Sequence, residues 1–212
     1  MVRVYAFDVD GTLTPIRSCW RFIHNILNTV HRSRNYSKYF FEGLLSYDEW
    51  VAMELNLWKN IDVEVFKRIV YAIPWRNGIE DLVEFRHKKS RDVFIAVSGG
   101  FNFLGERAVR ELKFNSYIGV ELEILNGRLT GYALSYPDFN GKGTELIEYL
   151  RSNSIEYSEL ICIGDNINDI DMFRYCDVSI GFCPSKNLRR DYVNIFINSC
   201  SIRNLVNILY TI

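Results

Sequence analysis

The chain has 212 residues, 48% of them hydrophobic and 24% charged, with a formal net charge of −1. Such a chain fits one moderately large domain, or a core domain with a substantial insertion. Its near-neutrality gives no overall field favouring nucleic acid or an anionic membrane. No run reaches the roughly 18 uninterrupted apolar residues of a membrane span, and the N-terminus lacks a basic-then-apolar signal pattern. The five cysteines, Cys19, Cys162, Cys176, Cys183 and Cys200, form no CxxC pair. That usage predicts reduced structural thiols in a soluble cytoplasmic protein, with no disulfide frame and no zinc site.

The first apolar run, Val2-Arg3-Val4-Tyr5-Ala6-Phe7, is rich in β-branched and aromatic residues and reads as a buried strand. It leads into Asp8-Val9-Asp10-Gly11-Thr12. Side-chain alternation along an extended chain projects Asp8 and Asp10 the same way. Two like charges that close require either a shared proton or a cation between them. Gly11 allows a sharp turn and leaves backbone N–H groups free for an anion. The combination suits Mg²⁺ and phosphate, with an ordinary Asp-Gly turn as the plainer alternative.

Residues 14–73 have a different texture, and the spacing predicts helices over 16–30, 36–45, 47–59 and 63–72. Trp20, Trp50, Trp58 and the run Tyr39-Phe40-Phe41 supply aromatic bulk there, read mostly as packing. The block reads as a helical insertion after the first strand. His24 and His31 are too far apart for an i, i+4 metal pair, and His87 belongs to a basic helix end. No histidine is assigned a catalytic role.

Beyond Pro74 and Gly78 the pattern alternates. A helix is expected over 79–88, then the buried strand Val93-Phe94-Ile95-Ala96-Val97, a helix over 101–112 and a strand over 117–120. Asn126-Gly127 between apolar runs is a strong hairpin signal. A helix over 144–152, a strand over 160–163, a helix over 169–175, a strand over 178–180, a helix over 188–193, a strand over 195–197 and a helix from 202 complete the chain. This alternation predicts an α/β fold, a Rossmann-like doubly wound parallel sheet. Ligands of such sheets bind at the carboxyl ends of the strands.

Three further stretches suit that edge. Ser98-Gly99-Gly100 offers a hydroxyl and accessible N–H groups before a helix, a ready anion site. Asn140-Gly141-Lys142-Gly143 places a lysine where it can reach a phosphate or carboxylate. Gly164-Asp165-Asn166-Ile167-Asn168-Asp169 clusters carboxylates and amides that suit a hard, oxygen-preferring ion such as Mg²⁺. Taken singly, each is also consistent with a helix-capping turn, a solvated lysine or an Asx-rich turn.

Asp8-Val9-Asp10-Gly11-Thr12, Ser98, Lys142 and Gly164-Asp165-Asn166-Ile167-Asn168-Asp169, in this order, resemble the motifs of the haloacid dehalogenase superfamily of phosphohydrolases. From about residue 93 to the C-terminus the likeness is closest to its phosphoserine phosphatases, including Asn126-Gly127-Arg128-Leu129-Thr130-Gly131 and Gly181-Phe182-Cys183. Asn166 stands where that family usually has glycine. The resemblance implies a core over 1–13 and 74–212 with a helical cap over 14–73. It implies hydrolysis of a small phosphorylated metabolite through an aspartyl-phosphate, with Asp8 as nucleophile and Asp10 as general acid and base. Mg²⁺ would be held by Asp8, the Asp10 carbonyl and Asp165, with Asp169 in support. Ser98, the Gly99 N–H and Lys142 would hold phosphate, Lys142 also fixing Asp8, and Asn168 would face the phosphate or stand behind it. A phosphotransferase or mutase using the same intermediate, or a non-catalytic phosphate-ligand binder, are the alternatives; oligomeric state is not legible.

Phosphoserine phosphatases hold the substrate ammonium with a cap glutamate and its carboxylate with a cap arginine. The corresponding positions here are Arg17 and Glu54, so both signs are reversed. The reversal disfavours the usual phosphoserine pose. Arg17 and Glu54 are expected to face the site, paired together or binding another polar substrate, or to be surface helix residues if the cap alignment is displaced.

Overall fold

A computed structural model describes residues 2–212 except 138 and 140, so Asn140 of the predicted lysine stretch lies outside the described residues. Among the described residues the strands form one seven-stranded sheet in the order β4-β3-β2-β1-β5-β6-β7. They are β1 (Val2–Phe7), β2 (Val93–Phe101), β3 (Ser116–Leu125), β4 (Arg128–Ser135), β5 (Tyr157–Gly164), β6 (Val178–Phe182) and β7 (Ile195–Ile197). Only β4 runs antiparallel to its neighbour, joined to β3 through Asn126 and Gly127, both at positive φ as a tight hairpin turn requires. The expected Rossmann-like doubly wound sheet is therefore present, with β3 as one long strand where the sequence suggests two short ones.

Alternation along the central strands feeds two cores. Tyr5, Phe7, Phe94 and Ala96 face one side, with α5 (Ile79–Lys88), α6 (Asn102–Leu112) and α9 (Ile202–Leu209) supplying Leu82, Phe85, Leu104, Leu205 and Leu209. Val4, Ala6, Ile95 and Val97 face the other, covered by Leu146 and Leu150 of α7 (Lys142–Ser152) and Met172 and Phe173 of α8 (Ile170–Phe173). Burial on both faces explains why the central strands read as continuous apolar runs.

Four helices lie between β1 and α5 in the chain: α1 (Cys19–Ile26), α2 (Val30–Phe41), α3 (Tyr47–Asn56) and α4 (Val63–Tyr71). The first expected helix stops at Ile26 and the second begins early at Val30, because Asn28 takes φ 55° between α1 and α2. Local capping fixes the other starts. Ser46 and Glu49 form a reciprocal capping box at α3, and the Asp62 side chain accepts from the N–H groups of Glu64 and Val65 at α4. The loop between α3 and α4 rests on the β3–β4 hairpin, with Asn60 N–H donating to the Leu129 carbonyl at 2.8 Å and Leu129 N–H to the Ile61 carbonyl at 2.9 Å. Trp58 is fully buried between Trp20, Phe66 and Phe101, fastening this helical block to β2.

Two expectations are corrected. Residues 188–193 do not form a helix beyond one short turn at Arg190–Tyr192. The preceding loop is tied instead to the end of β5, with Ser185 N–H donating to the Asp165 carbonyl at 2.7 Å. The cysteines are not all reduced thiols: Cys162 is disulfide-bonded to Cys176 and Cys183 to Cys200, leaving Cys19 free and buried. Each pair is far apart in sequence and is brought together by packing, which spacing rules for CxxC motifs do not detect. The cysteine-based reason for expecting a reducing compartment is thereby withdrawn. No described helix is long and apolar enough to cross a membrane.

The chain returning from α4 to α5 is pinned by α6. Arg107 donates to the Ile73 carbonyl at 2.7 Å, and Glu111 accepts from Trp75 Nε1 at 2.7 Å. Partial burial pushes the Glu111 carboxyl up, but Arg107, Arg110 and Trp75 outweigh it and hold the group at about 2. A depressed folded-state pKa contributes stability above the unfolded value of 4.5 that is lost as pH falls toward about 2. Glu111→Gln should therefore be less stable than wild type at pH 7 and lose less between pH 4.5 and 2, read from urea midpoints.

Candidate active site

β1 stops at Phe7, and Val9–Leu13 forms a wide turn, closed by the Thr14 N–H donating to the Val9 carbonyl at 3.0 Å. Asp8 immediately precedes this turn and Asp10 lies in it, so the two are not on one alternating strand, and both line one cavity. Gly11 has φ 89°, and a Cβ there would collide with the Asp165 carboxylate. The turn is held from below by Arg76, which donates from Nε to the Thr12 carbonyl at 2.9 Å and from Nη2 to the carbonyls of Gly11 and Thr14. Sequence reasoning missed Arg76. Its only local sign was a lone arginine in a short Pro/Gly-bounded return, which does not reveal carbonyls more than 60 residues away.

The centre of the site is a buried charge cluster. Lys142, 2% exposed at the first turn of α7, places Nζ 2.6 Å from both Asp8 Oδ1 and Asp169 Oδ1. Asp169 Oδ2 accepts the N–H groups of Asp165 and Asn166, each at 2.9 Å, which folds the loop after β5 onto itself. The Gly143 N–H donates to Asp171 Oδ2 at 2.8 Å, locking α7 to α8. Burial and its two carboxylate neighbours act oppositely on Lys142, and the carboxylates win, so its ammonium is stabilised well above the ordinary range.

The carboxylates show the converse. Burial raises Asp8, with Asp169 adding repulsion and Lys142 opposing it. Burial likewise raises Asp165 to about 7, helped by Asp169 and opposed by Arg17. Asp10 is raised by burial and drawn back by the Cys19 N–H, which donates to its Oδ2 at 2.7 Å. One oxygen of each acid, Asp8 Oδ2 and Asp10 Oδ1, is buried with no hydrogen-bond partner. One carboxylate oxygen from each of Asp8, Asp165 and Asp169 falls within a 4.8 Å cluster. An unpaired buried carboxylate oxygen beside a second raised carboxylate is the donor set of a hard divalent cation. The residues therefore fit Mg²⁺. Asp169, with both oxygens already accepting, suits a supporting position.

Ser98, Gly99, Gly100 and Asn168 line the same cavity as Asp8, Asp10 and Lys142. Ser98 Oγ accepts the Gly100 N–H at 2.9 Å, and Trp20 Nε1 donates to the Gly99 carbonyl at 2.9 Å, shaping the turn at the end of β2. Arg17 also lines the cavity and donates to Asp165 Oδ2 and, at 3.0 Å, to the Cys183 carbonyl. Glu54 lines it too, but its carboxylate accepts from Trp50 Nε1 at 2.8 Å and Ser33 Oγ at 3.0 Å, and His24 Nε2 lies 2.8 Å from its other oxygen. Arg17 and Glu54 are not paired with one another, and Glu54 is buried, not a surface residue; these two arms of the expectation are corrected. His24, given no role from sequence, is the partner that sequence reasoning missed.

A doubly wound sheet whose carboxyl edge gathers paired aspartates, a buried lysine and a Ser-Gly-Gly turn around one cavity defines an α/β protein with a charged cavity where such sheets bind ligands. The chain belongs to the haloacid dehalogenase-like hydrolase family, whose pattern matches residues 5–174. It is 24% identical to the phosphoserine phosphatase of Campylobacter jejuni subsp. doylei over 99% of this chain and 100% of that protein. It is also 24% identical to the phosphoserine phosphatase of Methanocaldococcus jannaschii over 96% of each. A solved substrate-bound phosphoserine phosphatase complex shares the fold with a TM-score of 0.79 at 22% identity, covering 98% of both chains.

Removing one member of a buried ion cluster leaves the others uncompensated. Lys142→Ala should lower unfolding free energy at pH 7 by about 3–5 kcal/mol. Denaturant unfolding of Lys142→Ala and of Lys142→Ala with Asp169→Asn checks this, the second change recovering part of the loss.

Proposed function

We propose that the chain is a Mg²⁺-dependent phosphomonoesterase that acts on a small phosphorylated metabolite through an aspartyl-phosphate on Asp8. The observation that carries this reading is the state of Asp8: one oxygen held by Lys142, the other buried, unpartnered and on the cavity wall. Such an oxygen is positioned and desolvated for attack. In the first step Asp8 forms an O–P bond as the bond from phosphorus to the alcohol oxygen breaks. Asp10, whose carboxyl burial raises above its ordinary value, gives its proton to that leaving oxygen. In the second step Asp10 takes a proton from water, which attacks phosphorus and releases Asp8. Lys142, the Ser98 hydroxyl and the N–H groups around Gly99 compensate charge on the phosphoryl oxygens.

Mg²⁺ would sit between Asp8, Asp165 and the Asp10 carbonyl with Asp169 in support, supplying charge neutralisation at the transferring phosphoryl group. Arg17 donates to Asp165 Oδ2, so the guanidinium and a bound cation would compete for that carboxylate. The curated relatives support a phosphatase; the helical block over the carboxyl edge supports a small substrate, because a lid excludes bulky ones.

Phosphate release from phenyl phosphate should require Mg²⁺, vanish with a chelator and fall by at least about a thousandfold in Asp8→Asn. Release that persists in Asp8→Asn would reject the aspartyl-phosphate. Mg²⁺ should also raise the melting temperature of wild type by mass action. That shift should be lost in Asp165→Asn and should need less Mg²⁺ in Arg17→Ala.

A further inference from the structure

The cavity above Asp8 is large, about 720 Å³, within the roughly 300–1,000 Å³ that hold drug-sized ligands. A phosphoserine would leave much of it empty. Its walls beyond the reaction centre carry two kinds of side chain. One wall is aromatic: Phe41, Tyr47, Trp50 and Phe139 line it, with Trp50 backed by Phe40 in a stacked contact at 4.5 Å. Phe41 is 70% exposed although it contacts Trp50 at 5.9 Å between ring centroids, so the apolar face is open to an incoming ring.

The other kind is cationic. Arg17, Arg21 and Arg34 line the cavity. Arg21 and Arg34 are exposed, and among the described residues neither guanidinium makes an ion pair or hydrogen bond. The carboxylates available to balance them are few. Asp8 and Asp10 belong to the reaction centre. Glu54 is 4% exposed and turned to Ser33, Trp50 and His24. Among the described residues a substrate ammonium therefore meets three guanidinium groups and, outside the reaction centre, only the already engaged carboxylate of Glu54, an arrangement that repels it. An anion finds two unpaired forks suited to bidentate contact.

We propose that the cavity accepts a phosphomonoester whose alcohol part carries a flat aromatic ring and a second anionic group, and that it rejects amino-acid phosphates. The ring stacks on the Phe41–Trp50 wall, and the anion meets Arg21 and Arg34. This substrate class rests on the phosphomonoesterase reading above and is tested separately from it.

Binding of non-hydrolysable phosphonates is measured by titration calorimetry with Mg²⁺ present, using 4-carboxybenzylphosphonate, benzylphosphonate and the phosphonate isostere of phosphoserine. The carboxybenzyl compound should bind at least about tenfold more tightly than either of the others, the scale of one well-made charge-assisted contact. Its advantage over benzylphosphonate should disappear in Arg21→Gln with Arg34→Gln, and its advantage over the phosphoserine isostere should shrink in Phe41→Ser. All three positions are exposed, so the variants should fold. Equal or tighter binding of the phosphoserine isostere overturns the inference, as does a preference that survives both variants. Turnover of phenyl phosphate reads the other question: its absence, with the binding preference intact, rejects the phosphatase reading and leaves the ligand class standing.

Discussion

The ammonium of Lys142, 2.6 Å from carboxylates of both Asp8 and Asp169, is the contact on which the arrangement depends. It joins three separate pieces of chain at the carboxyl edge of the sheet: the turn after β1, the start of α7 and the loop after β5. Without it, Asp8 and Asp169 would face one another in a buried space where repulsion between unscreened charges is strong. With it, Asp169 can spend its other oxygen on the N–H groups of Asp165 and Asn166, and that loop acquires its shape. One buried cation thus sets both local backbone geometry and the poise of the proposed nucleophile.

The remaining imbalance is informative. Lys142 does not compensate all of the buried negative charge, and the carboxyl groups of Asp8, Asp10 and Asp165 are all raised by burial. A structure that keeps such groups together without a full complement of partners is poised for a further cation or for a proton-transfer role. Arg17 reaches in from the residues just before α1 to meet Asp165, so the helical block contributes a charge to the core's own site. The same block contributes the Cys19 N–H that holds Asp10, and Trp20, which bonds the Gly99 carbonyl. The helical block is therefore linked to the strand ends at Asp165, at Asp10 and at the Gly99 carbonyl.

Within the helical block, the pairing of His24 with Glu54 has a second consequence. It engages the Glu54 carboxylate, among the described residues the one acid lining that wall outside the reaction centre, and leaves arginine and aromatic side chains as the exposed features. Selectivity for a ligand follows from such a wall, because function lives in the site and not in the fold.

What the sequence determined is the part governed by local chemistry. Alternating apolar runs and helical periods specify the doubly wound sheet, Asn126-Gly127 specifies its hairpin, and four short motifs place aspartates, serine and lysine at the strand ends where ligands bind. What tertiary structure decided is every partnership between residues distant along the chain. Arg76 beneath the Asp8–Thr14 turn, His24 beside Glu54, Arg17 on Asp165 and the two cysteine pairs are all made by packing. The reason is physical: periodicity reports which face of an element is apolar, whereas the partner of a buried polar group is selected by whichever donor the folded chain brings within about 3 Å of it.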